Sequence, residues 1–290
     1  MIRTIVSVAR RYRQRQPATG IATIAVEALV EFILFGLKQA AACVFAGSFL
    51  LLLALSGHLS IPGLYRYDVL FLGAIAIQLG LIATRLETRR EVATLSLFHA
   101  LGMGLELFKT SPAVASWSYP EPAFFRIATV PLYSGFMYAA IASYVMQSWR
   151  LLRLRLVNLP SMRTGICLSC LIYGNFFANH YMPDLRWPII LGLIACYGRT
   201  TIYFTVMTAE RRMPLLLSFL LIGVFIWLAE NIGTYFGGWV YPSQMHRWAI
   251  VGPNKITSWM LMVIISFLVV AALKQRFPPV VRKRGRTAPE

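Results

Sequence analysis

Long apolar runs alternate along the chain with short polar joints rich in cations. The runs fall near residues 32–56, 69–84, 92–108, 127–149, 164–182, 187–208, 214–236 and 256–273. A helix needs about 20 apolar residues to cross a bilayer, and runs of this length and number predict about eight crossings. The second and third runs are short. They stay separate because the charged string Arg85-Leu-Glu-Thr-Arg-Arg90-Glu91 lies between them. The joints then set an orientation. One side collects Arg3, Arg10, Arg11, Arg13 and Arg15, then Arg85, Arg89 and Arg90, then Arg150, Arg153, Arg155 and Arg163, then Arg211 and Arg212, and six cations from Lys274 to Arg286. The other side holds Arg66, Lys109, Arg126, Arg186, Arg247 and Lys255. Twenty against six, in regular alternation, predicts both termini in the cytoplasm by the positive-inside rule. Lys38 and Arg199 fall inside predicted spans.

Composition agrees with this pattern. Hydrophobic residues make up 58%, charged residues 13%, and mean hydropathy is +0.63, which excludes a disordered chain, a disulfide scaffold and a water-soluble enzyme. The net charge of +17 does not indicate nucleic acid, because the cations flank apolar runs; the expected partner is the lipid bilayer. The mostly polar first sixteen residues read as a solvated arm rather than a signal peptide. The expected organisation is a basic arm over 1–28, one membrane domain over 29–275, and a basic tail over 276–290.

A self-similarity divides the membrane domain. Glu106-Leu-Phe-Lys-Thr leads to Trp117-Ser-Tyr119-Pro120, and Glu230-Asn-Ile-Gly-Thr leads to Trp239-Val-Tyr241-Pro242. The Glu-to-Trp interval is 11 residues in the first copy and 9 in the second, and the motif proline is followed 11 residues later by another in both (Pro131, Pro253). Both copies fall on the same predicted side, so two parallel four-helix repeats are expected, over about 29–155 and 156–275. Trp and Tyr also gather in the aromatic belts of membrane proteins. The carboxylates are harder to assign to bland roles, since an acid within a span costs at least about 2.5–3.5 kcal/mol.

The strings Phe98-His-Ala-Leu-Gly-Met-Gly-Leu-Glu106, Trp117-Ser-Tyr-Pro-Glu, Val130-Pro-Leu-Tyr-Ser-Gly-Phe-Met-Tyr138 and Gly174-Asn-Phe-Phe-Ala-Asn-His180 resemble an uncharacterised bacterial membrane family, domain of unknown function 817, from about Glu27 to Leu273. That resemblance implies an integral protein of the bacterial inner membrane and no established reaction. A fainter likeness, confined to the repeated motifs, is to membrane enzymes that hydrate or cyclise carotenoids and other isoprenoids.

Other polar residues complete the candidate list. Asn175 and Asn179 share a helix face, with His180 and Asp184 following, as an acid–base couple, a metal pair or merely a polar helix end. Arg199, deep in an apolar run, needs a partner such as Glu230 or Asp184 unless it reaches the interface. Lys38 with Glu27 and Glu31 reads as an ion-pair ladder. His99 reads as an interior histidine, and the four cysteines as small buried apolar residues. No established metal-binding spacing and no nucleotide loop occurs, so metal is not expected and cofactor use stays undefined. Three functions remain open. In the first, an enzyme acts on an apolar lipid or isoprenoid, with Glu106 or Glu230 as acid and Trp117, Tyr119, Trp239, Tyr241, Asn175, Asn179, His180 and Arg199 lining the site. The second is a transporter using the same intramembrane Glu and Arg, and the third a non-catalytic assembly protein.

Overall fold

The computed structural model describes residues 21–276. The basic tail from 277, and the arm up to residue 20, lie outside the described residues. Among the described residues the first helix is Ile21–Ala42, which begins within the stretch assigned to the arm. Helices α1 (Ile21–Ala42) and α2 (Val44–Ser56) meet at Cys43 with a bend of 69°. They are followed by α3 (Arg66–Ala83), α4 (Arg89–Lys109), a two-residue hairpin β1–β2 (Arg126–Ile127, Val130–Pro131) and α5 (Ser134–Leu151). The chain continues through β3 (Arg155–Val157), α6 (Met162–Ala178), α7 (Arg186–Tyr197), β4 (Thr201–Thr205), β5 (Glu210–Pro214), α8 (Leu215–Tyr235) and α9 (Lys255–Arg276).

Among the described residues, four helices are long and apolar enough to cross a membrane: α3, α4, α8, and α9 as far as Ala272. The bent α1–α2 pair makes a fifth if it is one span. Large apolar side chains such as Phe32, Leu191 and Phe225 stand exposed on the helix faces, as lipid contact would require. The remaining runs depart from the simple reading. Helix α5 carries Ser143, Gln147, Ser148 and Arg150 on inward positions. The run over 187–208 is corrected outright: its helix is 12 residues long, about 18 Å at 1.5 Å per residue and short of a bilayer core of about 30 Å. Beyond Tyr197 the chain turns into β4, whose Thr201-Ile-Tyr-Phe-Thr string has the β-branched and aromatic character of a strand.

The strands β3, β4 and β5 form an antiparallel sheet in that order, with Arg155 opposite Tyr203 and Tyr203 opposite Arg212. The Arg155 guanidinium lies 4.4 Å from the Tyr203 ring centre and pairs with Glu210 at 2.8 Å. Helix α1 is tied to this end of the molecule. Glu31 binds Arg211, and the Lys38 ammonium donates to the Thr205 carbonyl at 3.1 Å, so Lys38 serves the sheet.

Two helix pairs form the frame, α4 with α5 and α8 with α9. Each depends on a glycine. A Cβ at Gly102 would lie 2.4 Å from the Tyr138 ring, and one at Gly223 would lie 2.9 Å from the Ile256 carbonyl oxygen. The charged joint 85–91 is accommodated by the polar stripe of α5. Ser143 donates to Glu87 at 2.5 Å, Gln147 to the Leu86 carbonyl at 2.8 Å, and Arg150 pairs with Glu91 at 3.0 Å. Thr88 and Glu91 bond reciprocally in a capping box that starts α4.

At the opposite end, Asp68 in the first turn of α3 accepts the backbone N–H groups of Tyr65, Phe124 and Phe125. Arg66 joins three segments through Ser56, Glu121 and the carbonyls of Phe236 and Gly237. Gly237 has φ +69°, a left-handed turn after α8 that glycine adopts without a Cβ penalty. Three cysteines are exposed on helix faces rather than buried (Cys167, Cys170, Cys196), and Cys43 marks the bend. His99 lies between α4 and α5 with its ring 4.7 Å from Phe136 and its Nδ1 buried without a hydrogen-bond partner.

Candidate functional site

The two Trp-x-Tyr-Pro strings meet. Ser118 and Val240 form an antiparallel bridge, each N–H donating to the other's carbonyl at 2.9 Å. This contact places the ends of α4 and α8 side by side, and with them Glu106 and Glu230, which are 2% and 3% exposed.

Each carboxylate sits in a nest of aromatic donors. Glu106 Oε2 accepts from the Trp117 indole N–H at 2.7 Å and the Tyr119 hydroxyl at 2.8 Å, and its Oε1 accepts from Tyr138 at 2.8 Å. Glu230 Oε1 accepts from Tyr241 at 2.6 Å, and its Oε2 accepts from the Trp259 indole at 2.7 Å. Trp239 does not repeat the role of Trp117. With two residues fewer between Glu and Trp, it folds back on α8, so close that a Cβ at Gly233 would stand 2.5 Å from its ring. The nests touch through Trp117 and Tyr241, whose rings pack edge to face at 6.1 Å.

Lys255 opens α9 beside both. Its ammonium lies 4.4 Å from the Tyr241 ring centre and 5.5 Å from that of Trp117, and its charge acts on both Glu106 and Glu230. The loop phenols are tuned by the same surroundings. Burial first, and then the adjacent carboxylate, pushes Tyr119 and Tyr241 well above the ordinary phenol range, so both keep their protons and remain donors. Tyr133 is pushed up by burial and by Tyr67, and its hydroxyl donates to the Gly238 carbonyl.

Glu106, Glu230, Trp117, Tyr119, Tyr138, Trp239, Tyr241 and Trp259 all line one cavity of about 740 Å³ between α1–α2, α5, α8 and α9. Its remaining lining is almost wholly apolar. Glu106 and Glu230 are the charged side chains among its described lining residues.

The other candidates lie elsewhere. Asn175 bonds Asp184 and takes the Leu185 N–H, both at 3.0 Å, so it holds the turn between α6 and α7. Asn179 accepts from Lys109 at 2.9 Å, and His180 is exposed against Tyr181. Asp184 pairs with Arg186 at 3.1 Å. Burial alone would raise its carboxyl, but hydrogen bonds from Asn175 and Arg186 and the guanidinium charge hold it below its usual value. Arg199 is exposed in the turn from α7 to β4 and is not within a span; its partnership with Glu230 or Asp184 does not form, because the helix ends before it. None of Asn175, Asn179, His180 or Arg199 is among the residues lining the cavity.

Sequence reading missed Tyr138, Trp259 and Lys255. A signal was present: Tyr138 follows Pro131 by seven residues and Trp259 follows Pro253 by six, so an aromatic stands at a similar distance beyond each proline. Lys255 was counted only as an interfacial cation.

The chain is mostly helical, and four of its described helices, or five counting the bent pair, are long and apolar enough to cross a membrane. The chain is a member of the family described as protein of unknown function (DUF817), which matches residues 31–267. It is similar to the uncharacterized protein YoaT of Bacillus subtilis (strain 168), 45% identical over 250 residues that cover 86% of this chain and 94% of that protein. No solved structure matches. Nothing in these relationships supports the fainter likeness to isoprenoid hydratases and cyclases.

Proposed function

We propose that the protein is a membrane enzyme acting on an apolar, membrane-dissolved substrate of the isoprenoid or lipid type. The observation that carries this reading is the convergence of two buried carboxylates, from helices more than a hundred residues apart, on one apolar cavity. Its volume of about 740 Å³ lies within the range of pockets that enclose small ligands. Glu106, with three donors, is the better-held anion. Glu230, with two, is the proton-exchanging group. A protonated Glu230 gives its proton to one carbon of an olefin, whose π electrons form the new C–H bond and leave a cation on the other carbon. The Trp and Tyr faces and both carboxylates stabilise that cation. Loss of a neighbouring proton to Glu230, or capture of water with its proton passing to Glu230, closes the cycle. On this reading the nests lie toward the outer surface and the sheet end, with Arg85, Arg150, Arg155 and Arg211, in the cytoplasm.

Lipid extracts from a strain lacking the gene test the proposal. An altered isoprenoid or lipid profile, restored by the wild-type gene and not by Glu230→Gln, is the expected result. An unchanged profile with altered solute uptake would favour the second reading, a carrier. That alternative draws on the 69° break at Cys43, since broken helices beside a site are a transporter device and Cys43 itself lines the cavity.

A further inference from the structure

We infer that the nest end of the cavity is a binding site for an amphiphilic monocation: a permethylated ammonium head on an apolar tail. The inference rests on the same cavity as the proposed function but needs no reaction.

Charge balance is the first argument. Glu106 and Glu230 are the charged groups of the described lining, and both are almost fully buried. The cation acting on both is Lys255, which is not itself among the lining residues and stands over the Trp117 and Tyr241 rings. Once Glu230 has released its proton, both carboxylates face the single charge of Lys255, and one negative charge is left over at the end of an apolar chamber. A ligand of charge +1 completes it, and the low-dielectric walls strengthen that attraction.

Hydrogen-bond capacity is the second argument, and it selects the head group. A carboxylate offers about four lone-pair positions. Glu106 already accepts three donors and Glu230 two. Those counts leave one position on Glu106 and two on Glu230. A primary ammonium could therefore place its three N–H groups only by dividing them between two carboxylates and giving up its water hydrogen bonds. A permethylated ammonium has no N–H to satisfy and is held by charge and by aromatic faces. Trp117, Tyr119, Tyr138, Trp239, Tyr241 and Trp259 are the Trp and Tyr residues of the lining near the carboxylates, with Lys255 already standing over the rings of Trp117 and Tyr241. Phe32, Phe49, Ile141, Phe219 and Phe225 supply a path for the tail. The same complementarity suits a substrate cation formed after proton transfer, so an ammonium amphiphile would mimic the charged stage of the proposed reaction.

Equilibrium dialysis of radiolabelled dodecyltrimethylammonium against the full-length protein in nanodiscs of phosphatidylethanolamine and phosphatidylglycerol, corrected for empty nanodiscs, tests the inference. The cation should bind at least about tenfold more tightly than its hydrocarbon isostere with carbon in place of nitrogen, and more tightly than dodecylammonium. Glu106→Gln and Glu230→Gln should each remove most of that preference, whereas Lys255→Met, which removes the offsetting charge, should raise affinity severalfold. Lys255→Met keeps the test open if a Gln variant fails to fold. Equal affinity for cation and isostere, tighter binding of the primary amine, or an unchanged preference in both Gln variants would overturn the inference. Because binding is read without turnover, an unaltered lipid profile in the deletion strain defeats the enzyme reading alone.

Discussion

The two carboxylate nests occupy matching places and are furnished differently. Glu106 is held by both aromatics of its own Trp-x-Tyr-Pro string and by Tyr138 of the following helix. Glu230 keeps only the motif tyrosine and takes its indole from Trp259 of the following helix. The cause is a loop two residues shorter, which turns Trp239 onto Gly233 instead of onto the carboxylate. One side of the site is thereby more constrained than the other. An anchored anion and a freer acid are a useful pair for proton chemistry, because environment alone gives two identical side chains separate roles.

The largest expected effect is on stability, from deleting the carboxylates. Glu106→Ala leaves three buried donors without an acceptor and is expected to cost about 3–5 kcal/mol. Glu230→Ala leaves two and should cost about 2–3 kcal/mol. Thermal unfolding of the purified variants in one detergent measures the difference. Equal losses would break the comparison. Gln variants should be milder at both sites. An indole can only donate, so the amide must turn its oxygen to Trp117 or Trp259, while the Tyr138 or Tyr241 hydroxyl rotates to accept from its NH2.

Next in size is overpacking of the helix contact behind the Glu106 nest. Gly102→Ala drives a methyl into the Tyr138 ring, and Tyr138 is a donor to Glu106. A cost of about 1–3 kcal/mol follows, together with loss of whatever activity depends on Glu106. Gly104→Ala meets only the Tyr173 hydroxyl at 3.5 Å and should be nearly silent. Parallel melting curves distinguish the two.

How much of this was legible in the sequence follows the range of the interactions involved. The apolar runs reveal a bundle of long apolar helices because each helix buries or exposes its own side chains, a local property. Glu106, Glu230 and the paired motifs were visible because an acid in an apolar run is costly wherever it lies. The partners of these acids were not visible. Trp259 and Tyr138 reach their carboxylates from the next helix, and Trp239 and Trp117 look alike as strings while differing by two residues of loop. Arg199 was misread because hydropathy does not distinguish a helix from a short half-buried strand, and Thr201–Thr205 extends the apolar run without extending the helix. Asn175 was expected to line the site and is a turn holder, since only the fold shows that Asp184 and the Leu185 N–H face it.

A smaller effect lies in alkaline pH. The folded-state pKa values of Tyr119, Tyr133 and Tyr241 are raised by burial. In the unfolded chain these phenols ionise near pH 10, so below that pH both states carry the proton and stability is unaffected. Above it the unfolded chain releases protons that the folded one retains, and stability falls as pH rises. Titration of phenolate absorbance should leave these phenols un-ionised at pH 10–11 until the protein unfolds. Free titration near 10 in the native protein would show the nests to be wetter than their geometry implies.

The smallest expected effect separates the two nests most cleanly, because it uses the same substitution twice. Trp117→Phe retains most of the ring but removes the N–H that bonds Glu106 Oε2 at 2.7 Å. Loss of a hydrogen bond to a charged acceptor costs about 1.5–3 kcal/mol at most, and here Tyr119 still donates to the same oxygen, which places the cost near the lower end. Trp239→Phe removes an indole that makes no bond to Glu230, packs on Gly233 and bonds the Tyr241 hydroxyl. It should cost the lost ring area and that one neutral contact, about 1 kcal/mol, and leave both donors to Glu230 in place. Trp259→Phe is the proper counterpart of Trp117→Phe, since its N–H is the one that reaches Glu230 Oε2. In melting experiments Trp117→Phe and Trp259→Phe should therefore group together, with Trp239→Phe apart from them. A grouping by motif position, with Trp117 and Trp239 alike and Trp259 silent, would mean that the repeat imposes its symmetry on the energetics and that the shorter second loop does not redirect its indole.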